Sequence, residues 1–269
     1  MEKLLRIIPF VFLLAASACN NAVKETSETG DTAIDKKEET SGALGFTVKG
    51  FKLQLTPGCD SCPQVTASIP LATGNEQAAQ KINNSVLAAI ADAIGEEGKK
   101  YPGYDSLFTG FMDNYKKMKA ELPGSASIGW EATIKGNIIQ QTDSLINIKL
   151  EIFVFTGGAH PNTNTLSLLF DPATGSKLTI VNLVTNLHSL TRLAEIKFRE
   201  QYKIPAKASI NATGFMFDKK RFVLSENIFF TSEGLLLHYN AYEIAPYVMG
   251  PQEVTLPYAE VKPYLSMHF

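Results

Sequence analysis

The stretch 127–155, SIGWEATIKGNIIQQTDSLINIKLEIFVF, decides the fold of this chain. Apolar and polar residues alternate through 127–140 and again through 144–155, which predicts two long strands. The short polar link Gln141-Thr142-Asp143 between the two runs predicts a hairpin. The two strands are therefore expected to pair in antiparallel fashion.

Other strands and helices flank this hairpin along the chain. Alternation predicts further strands over 46–55, 64–71, 163–170, 222–230, 235–239 and 253–256. Apolar residues three or four apart predict helices over 75–95, 106–121 and 187–202, and a terminal helix near 258–265. Because strands and helices come in clusters, we predict an α+β fold with antiparallel sheets and packed helices in two consecutive subdomains.

The amino terminus resembles a bacterial lipoprotein signal. Basic residues precede an apolar stretch, Ile7–Ala16, that is too short to cross a bilayer as a helix. Small residues then lead to Cys19, which is predicted to be lipidated and to become the mature terminus. The alternative is an ordinary secretory signal cut near Ala18. Both place the protein outside the cytoplasm. The lipidated cysteine predicts a cell-envelope protein anchored on the periplasmic or cell-surface side, and Asn20 after it favours the outer membrane.

The segment 20–45 is rich in Thr, Glu, Lys, Ser and Gly and has almost no large apolar residues. This composition predicts a disordered tether. The remainder, 46–269, carries as many acidic as basic residues, and the whole chain has a net charge of −2. Since no block of basic residues occurs, the sequence favours neither nucleic acid nor an anionic membrane surface as a partner.

Cys59 and Cys62 form a C-x-x-C unit, which predicts a disulfide in an oxidising compartment. The alternatives are a redox pair or a metal site. Prolines and a predicted strand surround the pair, whereas a redox pair favours a helix N-terminus. A structural disulfide is therefore the favoured interpretation. Zinc would need a second nearby pair of ligands, and the histidines are scattered. We therefore predict no metal and no organic cofactor.

A Gly-rich loop and a Tyr-rich segment are the candidate binding site. The paired glycines of the loop 157–162 permit a tight turn, and its histidine is a candidate ligand, base or loop clamp. Tyrosines in 239–250 offer an apolar face with a polar tip. The predicted ligand-binding residues are Gly157, Gly158, His160, Asn162, Tyr242, Glu243 and Tyr247. The alternative is that the glycines and Pro246 only shape turns and that Tyr242 belongs to the core; no residue is predicted to be catalytic.

Three segments together resemble the PdaC/RsiV family of envelope domains: the Gly-Gly-Ala-His loop, the turn Asp171–Leu178, and the segment Tyr239–Tyr258. The resemblance implies a PdaC-like N-terminal module over 46–162 and an RsiV-like C-terminal domain over 163–269. RsiV-type proteins bind lysozyme, and PdaC-type enzymes attach the module to a separate polysaccharide deacetylase domain. The resemblance thus implies a non-catalytic ectodomain that binds peptidoglycan or a muralytic protein such as lysozyme.

The alternative function is a cell-wall polysaccharide hydrolase or deacetylase with an unrecognised active site. The metal-binding deacetylase domain uses an Asp-Asp pair and an H-x-x-x-H motif, and neither occurs in this sequence. A glycosidase needs only two carboxylates that meet in space, which a sequence does not reveal.

Overall fold

The computed structural model describes residues 43–59, 62–122 and 129–266. The predicted signal, the lipidation site Cys19 and most of the predicted tether lie outside the described residues. Within these three ranges, no helix is both long enough and apolar enough to cross a membrane.

The first sheet has six strands, and its spatial order follows the chain. The strands are β1 (Gly45–Gln54), β2 (Gln64–Thr73), β3 (Glu131–Gln141), β4 (Ile146–Phe155), β5 (Asn162–Phe170) and β6 (Lys177–Leu178). The predicted β3–β4 hairpin is present, and every pairing is antiparallel except β2–β3, which is parallel. The sheet is therefore mixed, whereas the sequence predicted antiparallel pairing throughout.

Two helices cover one face of this sheet, α1 (Glu76–Ile94) and α2 (Tyr104–Glu121). They carry the chain back from the end of β2 to the start of β3, and such a crossover allows the two strands to run parallel. As predicted, α1 begins at Asn75, whose side chain accepts a hydrogen bond from Ala78 N, and ends at Gly95. Its apolar stripe, which includes Ile82, packs into the first core.

The second part of the chain folds around a three-stranded antiparallel sheet. Its elements are α3 (Ile180–Leu183), α4 (Leu187–Gln201), β7 (Asn227–Phe230), β8 (Gly234–Tyr239), β9 (Gln252–Pro257) and α5 (Tyr258–Val261). In the second core, the ring of Phe198 on α4 contacts the rings of Phe215, Phe217 and Tyr239. The fold is thus α+β in two consecutive parts, as predicted.

The predicted strand 222–230 is paired only from Asn227 onward. Residues 222–226, which precede Asn227, are connected to β8 by side-chain hydrogen bonds. The Tyr239 hydroxyl donates to Val223 O over 2.7 Å, and the Ser225 hydroxyl donates to His238 O. Side-chain hydrogen bonds therefore replace the strand ladder over 222–226.

Strand β5 belongs to both parts. It pairs with β4 in the first sheet, and its residues Leu168 and Phe170 enter the first core, whereas Leu169 enters the second. Ser167 lies on the same face as Leu169 and bonds the second sheet, because its amide donates to Asn227 Oδ1 and its hydroxyl donates to Ile228 O. The predicted domain boundary at 162/163 coincides with the start of this shared strand.

The Sγ atoms of Cys59 and Cys62 lie 2.04 Å apart, the separation of a disulfide. The pair lies in the connection between β1 and β2. This connection is also held by a hydrogen bond from Leu55 N to Pro63 O. The predicted pairing of these two cysteines is therefore present in the structure.

Candidate functional site

Asn240, at the end of β8, connects the two sheets where the candidate loops meet. Its Oδ1 accepts a hydrogen bond from Thr165 N over 2.7 Å, and its Nδ2 donates to Thr165 O over 3.1 Å. Thr165 is on β5, so this bridge fixes the β4–β5 loop, 156–161, beside the segment 240–250. The structure thereby brings together the two segments that carry the predicted site residues.

Three rings from these segments form an exposed group that we call the aromatic cluster: His160, Tyr242 and Tyr247. The rings of His160 and Tyr247 are stacked, with centroids 4.1 Å apart and planes 16° apart. The Tyr242 ring lies 5.3 Å from that of Tyr247 and 6.0 Å from that of His160. Tyr242 is 59% exposed and Tyr247 37% exposed, so the cluster presents aromatic surface to solvent.

Both nitrogens of His160 have partners. Nδ1 lies 3.1 Å from Pro161 O, which can only accept, and Nε2 lies 3.2 Å from the Tyr242 hydroxyl. A neutral ring with its proton on Nδ1 satisfies both contacts, because the hydroxyl then donates to Nε2. His160 therefore makes the contacts of a loop clamp while one side of its ring covers Tyr247.

Glu243 braces the turn that presents Tyr242. Its Oε2 accepts a hydrogen bond from Asn240 N over 2.8 Å, and its own amide donates to Asn240 O over 3.1 Å. Desolvation raises the pKa of the Glu243 carboxyl above its ordinary value, against the opposing effects of the bond from Asn240 and the nearby His238. Tyr242 itself has a φ of 70°, a left-handed conformation that costs free energy in any residue with a side chain.

Gly157 and Gly158 both have positive φ, 94° and 101°. No atom lies within 4 Å of the position that a Cβ would occupy at either residue. Glycine is therefore favoured there by backbone conformation and not by lack of space. The two residues shape the loop that carries His160.

A groove of about 730 Å³ lies against the aromatic cluster. Aromatic, apolar, amide-bearing and hydroxyl-bearing residues form its wall. It is formed by His160, Pro161, Asn162, Thr163, Thr165, His238, Asn240, Ala241, Tyr242, Tyr247, Val248, Met249, Gly250 and Pro251. Among these described residues there is no Asp, Glu, Lys or Arg. Val248, 91% exposed, adds an apolar rim.

His238 lines the groove and Glu253 contacts it, and neither was among the predicted site residues. His238 Nδ1 lies 2.7 Å from Glu253 Oε1, and Nε2 lies 3.3 Å from Asn240 Oδ1. When the ring is protonated, both nitrogens donate, one to each partner. The two residues are directly opposite in the β8–β9 pairing, so the register of the two predicted strands was the signal that would have found them.

A second hollow, of about 330 Å³, adjoins the groove on the other side of the β4–β5 loop. His160 and Asn162 line both spaces. The wall of the second hollow consists of Ala93, Ile94, Gly95, Phe111, Asn114, Trp130, Val154, Thr156, Gly157, His160 and Asn162. It contains no Asp, Glu, Lys or Arg within the part of the chain that the structure describes.

The seven predicted site residues thus have different roles in this geometry. His160, Asn162, Tyr242 and Tyr247 line the groove, and Gly157 lines the second hollow. The remaining two, Gly158 and Glu243, shape the loop and brace the turn. Over 43–59, 62–122 and 129–266, no group of three or more His, Cys, Asp or Glu side chains is placed to hold a metal ion.

Comparison with known proteins gives two family matches. The family described as deacetylase PdaC matches residues 59–163, and the family described as a protein of unknown function, DUF3298, matches residues 176–259. No curated protein matches the chain.

Two crystal structures share the fold. A DUF3298 family member from Bacteroides fragilis NCTC 9343 superposes with a TM-score of 0.60 at 21% identity, covering 84% of this chain and 95% of that one. A DUF3298 family protein from Pseudomonas aeruginosa PAO1 superposes with a TM-score of 0.58 at 19% identity, covering 84% of this chain and 96% of that one. At these identities the likeness concerns the fold alone.

Proposed function

Because the chain carries a PdaC-type module followed by a DUF3298 (RsiV-like) module, as its sequence predicted, we propose that it is a cell-envelope protein that binds an uncharged glycan strand without transforming it. The family matches support an envelope-associated domain protein. The backbone of peptidoglycan is the glycan that this compartment offers. The lipid predicted at Cys19 would keep the groove near that polymer.

The lining of the groove carries this proposal. Sugar rings have apolar faces that pack on aromatic side chains and hydroxyl edges that need neutral hydrogen-bond partners. The stacked rings of His160 and Tyr247 supply the apolar contact, and the side chains of Asn162 and Thr163 supply the neutral hydrogen-bond partners. A wall without charged side chains suits a neutral polymer, because no buried charge is left without a partner when the polymer binds.

The same lining disfavours a muralytic protein as the occupant of the groove. A lysozyme-like partner is basic, and complementary association would favour carboxylates on the receiving surface. Two carboxylates that contact residues of the groove are engaged inside this chain: Glu253 contacts His238, and Glu243 accepts the bond from Asn240. These contacts also hold the two carboxylates in bracing roles, whereas glycoside hydrolysis needs a pair that flanks the sugar bond.

The experiment is co-sedimentation of the purified full-length protein with insoluble peptidoglycan, together with calorimetric titration of chitopentaose, a soluble neutral pentasaccharide. The protein is expected to sediment with the polymer and to release neither reducing ends nor free amines from it. Release of either product would establish the hydrolase or deacetylase alternative. Failure to bind either glycan, with capture of lysozyme instead, would make the protein a lysozyme receptor and overturn the proposal.

A further inference from the structure

A third space, which we call the apolar cleft, is lined by residues of β5, of α3 and of the segment 222–226. Its volume is about 820 Å³, and its lining residues are mostly aliphatic or aromatic. Among them Val181 is 61% exposed, Val223 57% and Leu187 37%, so the cleft presents apolar surface to solvent. Apolar surface of this kind on a folded domain is typical of a place that a partner covers.

The backbone of the segment 222–226 has hydrogen-bonding groups that the rest of the fold does not use. The side of the segment that meets β8 is occupied, since Val223 O accepts from the Tyr239 hydroxyl and the Ser225 hydroxyl donates to His238 O. Between these two residues, the N–H and the carbonyl oxygen of Leu224 make no hydrogen bond in the described part of the chain. An open stretch of backbone beside a sheet is a template to which an extended peptide can add as a further strand.

A basic turn adjoins one end of this segment. In the turn 218–221, Arg221 N donates to Asp218 O over 3.0 Å, and the next residue, Phe222, lines the cleft. The ammonium of Lys219 lies 4.0 Å from the Asp218 carboxylate. Lys220 and Arg221 are exposed and make no ion pair with any residue that the structure describes. The turn therefore carries positive charge that this chain does not neutralise.

The charges along the segment run from positive to negative. The basic turn precedes it, and its last residue, Glu226, lines the cleft. The other charged residues of the described wall, Asp92 and Lys177, are one of each sign. A peptide whose charges run the opposite way along the segment is complementary to this arrangement. In an antiparallel pair, the carboxyl-terminal residues of the added peptide lie beside the start of the segment, so these residues should be acidic.

We propose that the apolar cleft binds an extended peptide of another protein as an added antiparallel strand. The peptide pairs with the backbone of Leu224, packs apolar side chains in the cleft, and places acidic residues at its carboxyl end beside the turn 218–221. Five residues in a strand span about 17 Å, so a peptide of about six residues fits the segment. The cleft shares no lining residue with the groove proposed to bind glycan, and the two proposals are tested separately.

The first test is the fluorescence anisotropy of a labelled, end-blocked peptide, Lys-Val-Thr-Val-Thr-Val-Asp-Glu, titrated with the full-length protein. Two derivatives carry N-methyl groups, one on the valine amides and the other on the threonine amides. Because only one edge of the peptide would pair, one derivative is expected to bind about tenfold more weakly and the other to match the parent peptide. A peptide with its charged ends exchanged is expected to bind about fivefold more weakly. Equal affinity for all four peptides would overturn strand addition.

The second test reverses the charge of the turn. Lys220→Glu combined with Arg221→Glu is expected to weaken binding of the parent peptide about five- to tenfold and to strengthen binding of the charge-exchanged peptide. Neither side chain has an internal partner to lose, so the fold should persist. Lys52→Glu combined with Lys135→Glu makes the same change of net charge at exposed residues outside the cleft, and it should leave both affinities unchanged. An equal loss in both double variants would overturn the role of the turn.

Hydrogen exchange followed by mass spectrometry locates the peptide without any substitution. The bound peptide is expected to slow exchange over 222–226 and to leave exchange over the β4–β5 loop, 156–161, unchanged. Slower exchange only in other parts of the chain would overturn the proposal. Binding to vesicles that contain phosphatidylglycerol, with no binding of any peptide, would also overturn it and would assign the basic turn to an anionic membrane surface.

Discussion

The imidazole of His160 lies flat against the phenol ring of Tyr247, with 4.1 Å between the two ring centroids. His160 is in the connection between β4 and β5 of the six-stranded sheet, whereas Tyr247 follows β8 of the three-stranded sheet. The stack therefore forms only where the two sheets meet. It places exposed aromatic surface of the groove at the junction of the two parts.

Removal of either ring of the stack should weaken glycan binding. Tyr247→Ala and His160→Ala, made separately, are expected to raise the dissociation constant for chitopentaose about five- to tenfold, because each deletes one aromatic contact worth ~1 kcal/mol. The thermal midpoint should change little, since both side chains are exposed. Val181→Ala, a change at a 61% exposed residue outside the groove, is the control. If both variants unfold early and bind normally whenever folded, the two residues are scaffold.

The left-handed backbone of Tyr242 should be measurable as strain. Tyr242→Gly is expected to be about 1 kcal/mol more stable than Tyr242→Ala in urea denaturation, because only glycine adopts this φ without cost. Both variants lose the hydroxyl contact to His160 and should bind glycan more weakly than the unaltered protein. The neighbouring Ala241, which has no positive φ, supplies the control, since Ala241→Gly should destabilise. Equal stability of the two Tyr242 variants would contradict the observed conformation.

The Asn240 bridge should contribute to the stability of the fold. Asn240→Ala removes the partners of the buried Thr165 amide and carbonyl, and the expected loss is about 2–3 kcal/mol of unfolding free energy. Asn240→Asp keeps the acceptor and loses the donor, so an intermediate loss is expected. Asn164→Ala, one residue before Thr165 on the same strand, serves as control and should cost under about 0.5 kcal/mol. An equal cost at both positions would show that the bridge contributes nothing specific.

Stability should depend on pH through Glu243. Because desolvation raises the pKa of its carboxyl in the folded state, the protonated form is favoured by folding. The resulting stabilisation is complete below the unfolded value of about 4.3 and is lost as the pH rises through the folded value. Glu243→Gln should therefore match the unaltered protein in acid and be more stable than it at neutral pH. Urea denaturation at both pH values measures this, with Glu233→Gln at an exposed turn as control. A gain that is the same at every pH would contradict the assignment.

The mature amino terminus is expected to be a lipidated Cys19. Two or more acyl chains on one cysteine give stable membrane anchoring, since each buried CH₂ contributes about 0.8 kcal/mol. Mass spectrometry of protein purified from membranes should find the modification, and Cys19→Ala should release the protein from them. An unmodified terminus at any other residue would rule out the lipid anchor.

Most strands and helices followed from local patterns, but β6, α3 and one pairing did not. Asn75 and Gly95 delimit α1 because a helix end needs a capping side chain and a residue that stops the helix, and both are visible in the sequence. The parallel β2–β3 pair was missed, because its direction depends on the path of α1 and α2 over the sheet. The unpaired segment 222–226 was also missed. Its residues alternate like a strand, but Val223 and Ser225 are held by side-chain hydrogen bonds to β8 and not by a strand ladder.

The binding site was predictable only in its exposed part. Paired glycines and clustered tyrosines stand out in a sequence, and they directed attention to the aromatic cluster. Asn240 does not stand out, because a single amide at a strand end is common in scaffolds. Its importance comes from a partner far along the chain, Thr165.

The double membership of β5 limits how this chain could have evolved. A gene fragment that ends after the PdaC match at residue 163 would lose most of β5 and all of β6 from the six-stranded sheet, and a fragment that begins there would lack the first residues of β5. If either half were exchanged by recombination, the β5 face that carries Leu169 and Ser167 would need new packing and hydrogen-bond partners. The two modules are therefore expected to be inherited as a pair, and substitutions of Ser167 and Leu169 should be tolerated only together with changes in the second part.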